Sequence, residues 1–265
     1  MSRKLKEYMF KFFIYASAAL TVSILFFITF YIAINGGTSL NFEFLKNILP
    51  MFLNTIFAVI LTLVFVVPIG LATAIYLQEY AKPSISTKII TFATDCLAGT
   101  PSIIMGLFGL LFFVKLLGFG FSMLAGCLTL SMLVLPTIIR GIEEALKTVP
   151  TSYREGSFAL GATKIQTIFK VILPSCFPGI LVSIILATGR IIGETAALIF
   201  TAGTALQLSE SLFSSGRTLA IHMFLLVKEG LDISEAYATA LLLLMLTLAL
   251  NAIANIISWR LNKIV

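Results

Sequence analysis

An arginine and a glutamate stand four residues apart in Leu186-Ala-Thr-Gly-Arg-Ile-Ile-Gly-Glu-Thr-Ala-Ala-Leu198, inside an apolar run long enough to cross a bilayer. A lone Arg at the centre of a membrane helix costs about 2.5 to 3.5 kcal/mol on insertion scales. Ionisable groups at that depth face a bundle interior or a water-filled path. A guanidinium also offers two parallel N–H donors to an oxyanion. Arg190 and Glu194 therefore point to a charged path for an anion, with Thr195 as a further hydroxyl donor. Residues four apart share a helix face, so Glu194 is expected over Arg190, holding the guanidinium when the path is empty. The alternative is a self-neutralising pair that serves packing alone. The order Arg then Glu is the weaker one on a helix, which favours the path. Gly189 and Gly193 form a Gly-x-x-x-Gly step beside the pair, a surface on which another backbone can approach closely.

Other chemistries lack their residues. Cys96, Cys127 and Cys176 are far apart without metal-ligand spacing and read as small apolar packing residues. His222 is the one histidine; it falls in a polar connecting segment and reads as a surface group with no catalytic or metal role. An intramembrane enzyme would need a nucleophile–base dyad, paired acids or a metal site within the apolar runs. There is no Gly-x-x-x-x-Gly-Lys-Ser/Thr sequence, so the chain is not itself an ATPase.

The elements that position the charges are membrane helices. The 265 residues are 59% hydrophobic and 11% charged, with a mean hydropathy of +1.06; an ordinary soluble domain carries roughly 25% charged residues. A spanning helix needs about 20 apolar residues. Six segments qualify: 12–34, 52–77, 90–114, 121–140, 178–202 and 236–259. The expected fold is an all-α, polytopic bundle of six transmembrane helices in one domain. The first segment is too long for the apolar core of a signal peptide, so cleavage is not expected. Arg3, Lys4, Lys6, Lys11, Lys82, Lys88, Arg140, Lys147, Arg154, Lys164, Lys170, Arg260 and Lys263 fall on one side, 13 in all. Lys46, Lys115, Arg217 and Lys228 fall on the other. The bias places both termini and the segment between the fourth and fifth spans in the cytoplasm. It also explains the pI of about 9.3 without nucleic acid.

That cytoplasmic segment, 144–175, reads as a rigid elbow. Ser152 and Glu155 have capping-box spacing, so a short helix should run to about Leu160. Gly161 suits the left-handed position that ends it. Thr163 and Gln166 repeat the box, and Pro174 and Pro178 should bound the second helix. Phe158, Ala159, Leu160 and Ile165 give the elbow an apolar surface for a partner, or for the membrane and its own bundle. Thr100-Pro101-Ser102 should kink or interrupt the third span, and Pro68 the second. Asp95 reads as a helix-start cap. Residues 203–235 read as a polar external stretch able to meet a solute-binding protein, or as a solvated hairpin.

Glu155-Gly-Ser-Phe-Ala-Leu-Gly161, nine residues and Val171-Ile-Leu-Pro174 resemble the cytoplasmic Glu-Ala-Ala…Gly motif of ABC importer permeases. Gly156 and Ser157 replace its alanines and Val171 its isoleucine. Pro68–Tyr80, Gly99-Thr-Pro-Ser-Ile-Ile-Met-Gly-Leu-Phe-Gly109 and Gly189–Leu198 resemble the phosphate-specific permeases, closer to the A-type subunit (PstA) than to its C-type partner. Ala197 stands where that subunit often has proline. The resemblance implies the type I importer permease fold in the inner membrane. It makes Glu155, Phe158, Ala159, Leu160, Gly161 and Ala162 the surface that couples to an ATPase, and Ser102 part of the pathway with Arg190, Glu194 and Thr195. It implies a C-type permease, a dimeric ATPase that carries ATP and Mg, and a periplasmic or lipid-anchored phosphate-binding protein. This chain itself would bind no cofactor or metal. Sulfate and molybdate permeases carry Gly-Glu-Phe-Gly-Ala near the place of Gly193-Glu-Thr-Ala-Ala197, which sets those cargoes second. A stand-alone channel or secondary transporter would have no use for the elbow.

Overall fold

The structure is a computed structural model that describes residues 3–262, so Lys263 of the basic count lies outside the described residues. Helix α1 (Arg3–Gly37) is followed by α2 (Phe42–Ile75), which runs on through a π turn to Tyr80. Next come α3 (Ile85–Gly99), α4 (Ser102–Gly109, with a π extension to Leu116) and α5 (Met123–Lys147). The elbow holds α6 (Thr151–Ala159) and α7 (Lys164–Thr167), which continues through a π turn (Ile168–Ile172) into α8 (Leu173–Gly193). Helices α9 (Ala196–Ile199), α10 (Leu219–Glu229) and α11 (Ile233–Asn262) complete the chain.

Five stretches are long and apolar enough to span: Glu7–Gly37, Phe42–Tyr80, Met123–Lys147, Lys164–Gly193 and Ile233–Ile256. The sixth exists only if α3 and α4 count together, because they meet at 106°. Pro101 causes the break. It holds Thr100 extended at φ −79, ψ 126 and itself caps α4. Pro68 and Pro50, by contrast, sit inside an unbroken α2.

Other expectations shift. Pro174 and Pro178 do not end the elbow's second helix; the π turn before Leu173, whose N–H bonds Ile168 O, widens the spiral where the proline ring would collide with the preceding turn. Ser152 and Glu155 form no capping box, because Pro150 already starts α6 and Ser152 is within its first turn. The Thr163–Gln166 box is formed, and Gly161 is left-handed at φ 83. Asp95 lies deep in α3, whose start is capped by Ser84, and it pairs with Arg140 of α5 instead.

The core lies where α2, α5 and α8 pack, around Val66, Leu130, Ile138, Ile142 and Ile191. Small residues bring α5 and α8 together: a Cβ on Gly141 would stand 2.2 Å from Ser183 Oγ, and one on Gly179 2.7 Å from Ala145 Cβ. Helix α1 sits at the edge against α11, with Tyr31 edge-on to Tyr237 at 5.7 Å.

The segment 203–235 is an ordered structure and no simple hairpin. Buried Asn54 of α2 donates to Gln207 O and Arg217 O at 3.2 Å and accepts from Ser209 N at 3.0 Å. Thr55 accepts from Leu219 N at 2.9 Å, which seats α10 on α2. His222 is buried, not superficial: Arg217 Nη1 lies 3.2 Å from its Nδ1, and Glu235 Oε1 3.5 Å from its Nε2.

Candidate functional site

Helix α8 ends three residues after Arg190, which places the arginine in a last turn and not at mid-helix. Glu194 turns extended at φ −75, ψ 128 and Thr195 follows at φ −122, ψ −50. This break removes the shared face on which the two charges were expected to pair. Among the described residues Arg190 has no ion-pair partner, and Glu194 Oε1 accepts from Ala197 N at 3.2 Å, capping the short α9. The exposed guanidinium instead complements the carbonyl-rich end of α8. A Cβ added at Gly189 or Gly193 would meet no atom within 4 Å, so this face of α8 is open. Thr195 Oγ1 reaches only its neighbour Gly193 O at 3.5 Å and lines a largely apolar cavity of about 470 Å³ with Met223, Phe224 and Tyr237. A Cβ on Gly106 of α4 would lie 2.9 Å from Ala197 Cα, so α4, with half-buried Ser102 in its first turn, lies directly on α9.

At the opposite end of α8, α6 and α7 fold back at Gly161 and carry their apolar side chains outward. Leu160 is 90% exposed and Phe158 47%. Glu155, Ala159 and Gly161 are exposed beside them and Ala162 is half-buried. The elbow's inner side is fixed by charge. Arg154 donates from Nε and Nη2 to Glu79 Oε1 at 3.1 and 2.7 Å, from Nη1 to Val149 O at 2.9 Å and from Nη2 to Leu146 O at 3.2 Å. The two side chains are 19% and 9% exposed, so the pair is shielded from water.

Residues 66–263 match the family described as binding-protein-dependent transport system inner membrane component. The chain belongs to that family. It is an ABC importer permease, a multi-pass membrane subunit. It is 34% identical over 246 residues to the probable ABC transporter permease protein YqgI of Bacillus subtilis, covering 84% of this permease and 83% of that protein. It is 36% identical over 197 residues to the phosphate transport system permease protein PstA 1 of Mycobacterium tuberculosis, covering 73% and 64%. For the PstA homolog of Mycoplasma pneumoniae the figures are 39% over 177 residues, 64% of this chain and 27% of the relative. The permease thus spans less than two thirds of these two phosphate-named relatives. In fold it resembles a bacterial alginate ABC transporter chain (TM-score 0.72, 17% identity, 99% of both chains). It also resembles a chain of the inward-facing MetNI methionine transporter (TM-score 0.64, 19% identity, 82% of this chain and 95% of that one).

The permease therefore carries its sequence-marked residues in two places. Arg190, Glu194, Gly189 and Gly193 collect at the α8–α9 break, with Ser102 at the start of α4, the helix that packs on α9. Glu155 and Phe158 to Ala162 collect on the elbow. The sequence reading passed over Glu79, although an acid just beyond a span, on the same side as a basic elbow, was the available signal. Asn54 was likewise passed over; a carboxamide inside an apolar span is a comparable signal.

Proposed function

We propose that this permease is the A-type subunit of an ATP-driven importer that carries inorganic phosphate across the cytoplasmic membrane. The observation that carries the reading is the exposed, unneutralised Arg190 beside the open Gly189–Gly193 face. A guanidinium in that position replaces some of the hydration an oxyanion loses on entering. Binding there must stay weak enough for release. The names of the 36% and 39% identical relatives support phosphate as the cargo. One chain supplies one such surface, so a C-type permease closes the path from the other side. Ser102 opens α4, the helix that packs on α9, and Glu194 and Thr195 form the break that follows Arg190. The exposed elbow from Glu155 to Ala162 receives a dimeric ATPase, which holds the ATP and Mg; this chain catalyses nothing and binds no cofactor. A periplasmic or lipid-anchored phosphate-binding protein delivers the ion to the external side. Both termini lie in the cytoplasm.

The test is uptake of labelled phosphate into proteoliposomes that hold the whole complex with ATP on the ATPase side. Phosphate should accumulate only with ATP and the binding protein present, with unlabelled phosphate competing and sulfate and molybdate not. Failure to move phosphate while another oxyanion is moved would overturn the cargo; transport without any ATPase would overturn the class.

A further inference from the structure

The two limbs of the elbow are fastened to one spot. Arg154 of α6, before the Gly161 turn, bonds the Glu79 carboxylate. Lys164 of α7, after that turn, donates to the Glu79 backbone carbonyl and stands 4.3 Å from the Tyr80 ring centroid. Both target residues belong to the π turn that ends α2, where Ala81 N bonds Tyr76 O at 2.8 Å. Covalently the elbow joins α5 and α8 only; this non-covalent socket ties it to a third helix. From that socket α2 runs unbroken to Asn54, which holds the external loop 203–218 through Gln207, Ser209 and Arg217. The 25 residue steps from Asn54 to Glu79 span about 37 Å at 1.5 Å rise.

We infer that Glu79 is the joint through which the elbow drives α2, and that α2 carries the displacement to the external loop. The inference rests on the elbow being the ATPase docking surface. Its physical basis is the contrast in fastening. An exposed ion pair such as Lys147–Glu144 yields under load because water replaces each partner at little cost. The Arg154–Glu79 pair is shielded, one carboxylate oxygen takes two N–H donors, and the same guanidinium is pinned by two carbonyls. Parting it strands a shielded charge, so elbow and α2 move as one body. Glu79 and Arg154 act as positioning residues, since neither meets cargo or nucleotide.

The experiment uses the complete complex, with its second permease, ATPase and binding protein, in proteoliposomes. Glu79→Gln should leave the ATPase bound while phosphate moved per ATP hydrolysed falls about tenfold. A second arm removes exposed Cys96 by Cys96→Ser and combines Glu79→Cys with Arg154→Cys. That form should be uncoupled when reduced and regain coupling when a short bis-thiosulfonate spans the two thiols, because a covalent tie replaces the ionic one. Merely structural damage would not be reversed by the bridge. Normal coupling in Glu79→Gln, or a bridged form that stays uncoupled, overturns the joint. An ATPase that binds the unaltered chain and is released by Leu160→Asp shows the docking reading standing while the joint is judged on its own. An ATPase that stays bound and coupled in Leu160→Asp removes the docking reading and the joint together.

Discussion

Two Arg–Glu relationships stand at opposite ends of α8, and they differ in whether the chain completes them. Arg154 and Glu79 come from elements 75 residues apart, yet the fold brings them to 2.7 Å and satisfies the guanidinium with four bonds. Arg190 and Glu194 are four residues apart, yet the break after Gly193 parts them and leaves the guanidinium open. A completed pair fixes geometry. An incomplete one, an exposed guanidinium at the end of a membrane-length helix, is left free to meet something outside the chain.

The sharpest way to break this comparison is Arg190→Gln in the reconstituted complex. Phosphate uptake should fall on the order of 100-fold, as expected for losing about 3 kcal/mol of charge-assisted hydrogen bonding, while subunits still co-purify. Near-normal uptake would make the open guanidinium incidental. Arg154→Ala acts on the completed pair. It should destabilise the solubilised complex by about 3 kcal/mol, read by thermal melting, because Glu79 is left shielded and unpaired. Gly161→Val forces a β-branched side chain to φ 83; that strain of about 1–2 kcal/mol should weaken ATPase binding to the elbow, measured by titration of the purified ATPase.

A smaller effect belongs to pH. Burial, with Arg217 adding to it against Glu235, pushes the His222 pKa below its ordinary 6.5. Arg217 can only donate, so Nδ1 accepts and the ring is neutral with its proton on Nε2. Above about pH 6.5 the imidazole is neutral folded and unfolded alike. As pH falls below that value the unfolded chain takes up a proton that the folded one resists, so stability declines. His222→Gln should flatten that slope in melting curves taken between about pH 7 and pH 5. Last, Lys147→Ala should change stability by less than about 0.5 kcal/mol, because the pair it removes is exposed. A large loss there would erase the distinction between completed and incidental pairs.

What the sequence settled by itself was whatever local chemistry dictates. Spans follow from apolar run length, since lipid accepts little else. The turn at Gly161 and the Thr163–Gln166 cap follow from residues within one helical turn, and the break at Pro101 from one ring. Tertiary structure decided which charges meet. Glu79 with Arg154, Asp95 with Arg140, and His222 with Arg217 and Glu235 are set by helix packing; sequence can mark a residue such as Glu79 by its place beyond a span, but spacing does not name its partner. The same holds for what fails to meet. A spacing of four promises a pair only while the helix continues, and here Gly193 and an extended Glu194 end it, and the short α9 that follows packs on α4.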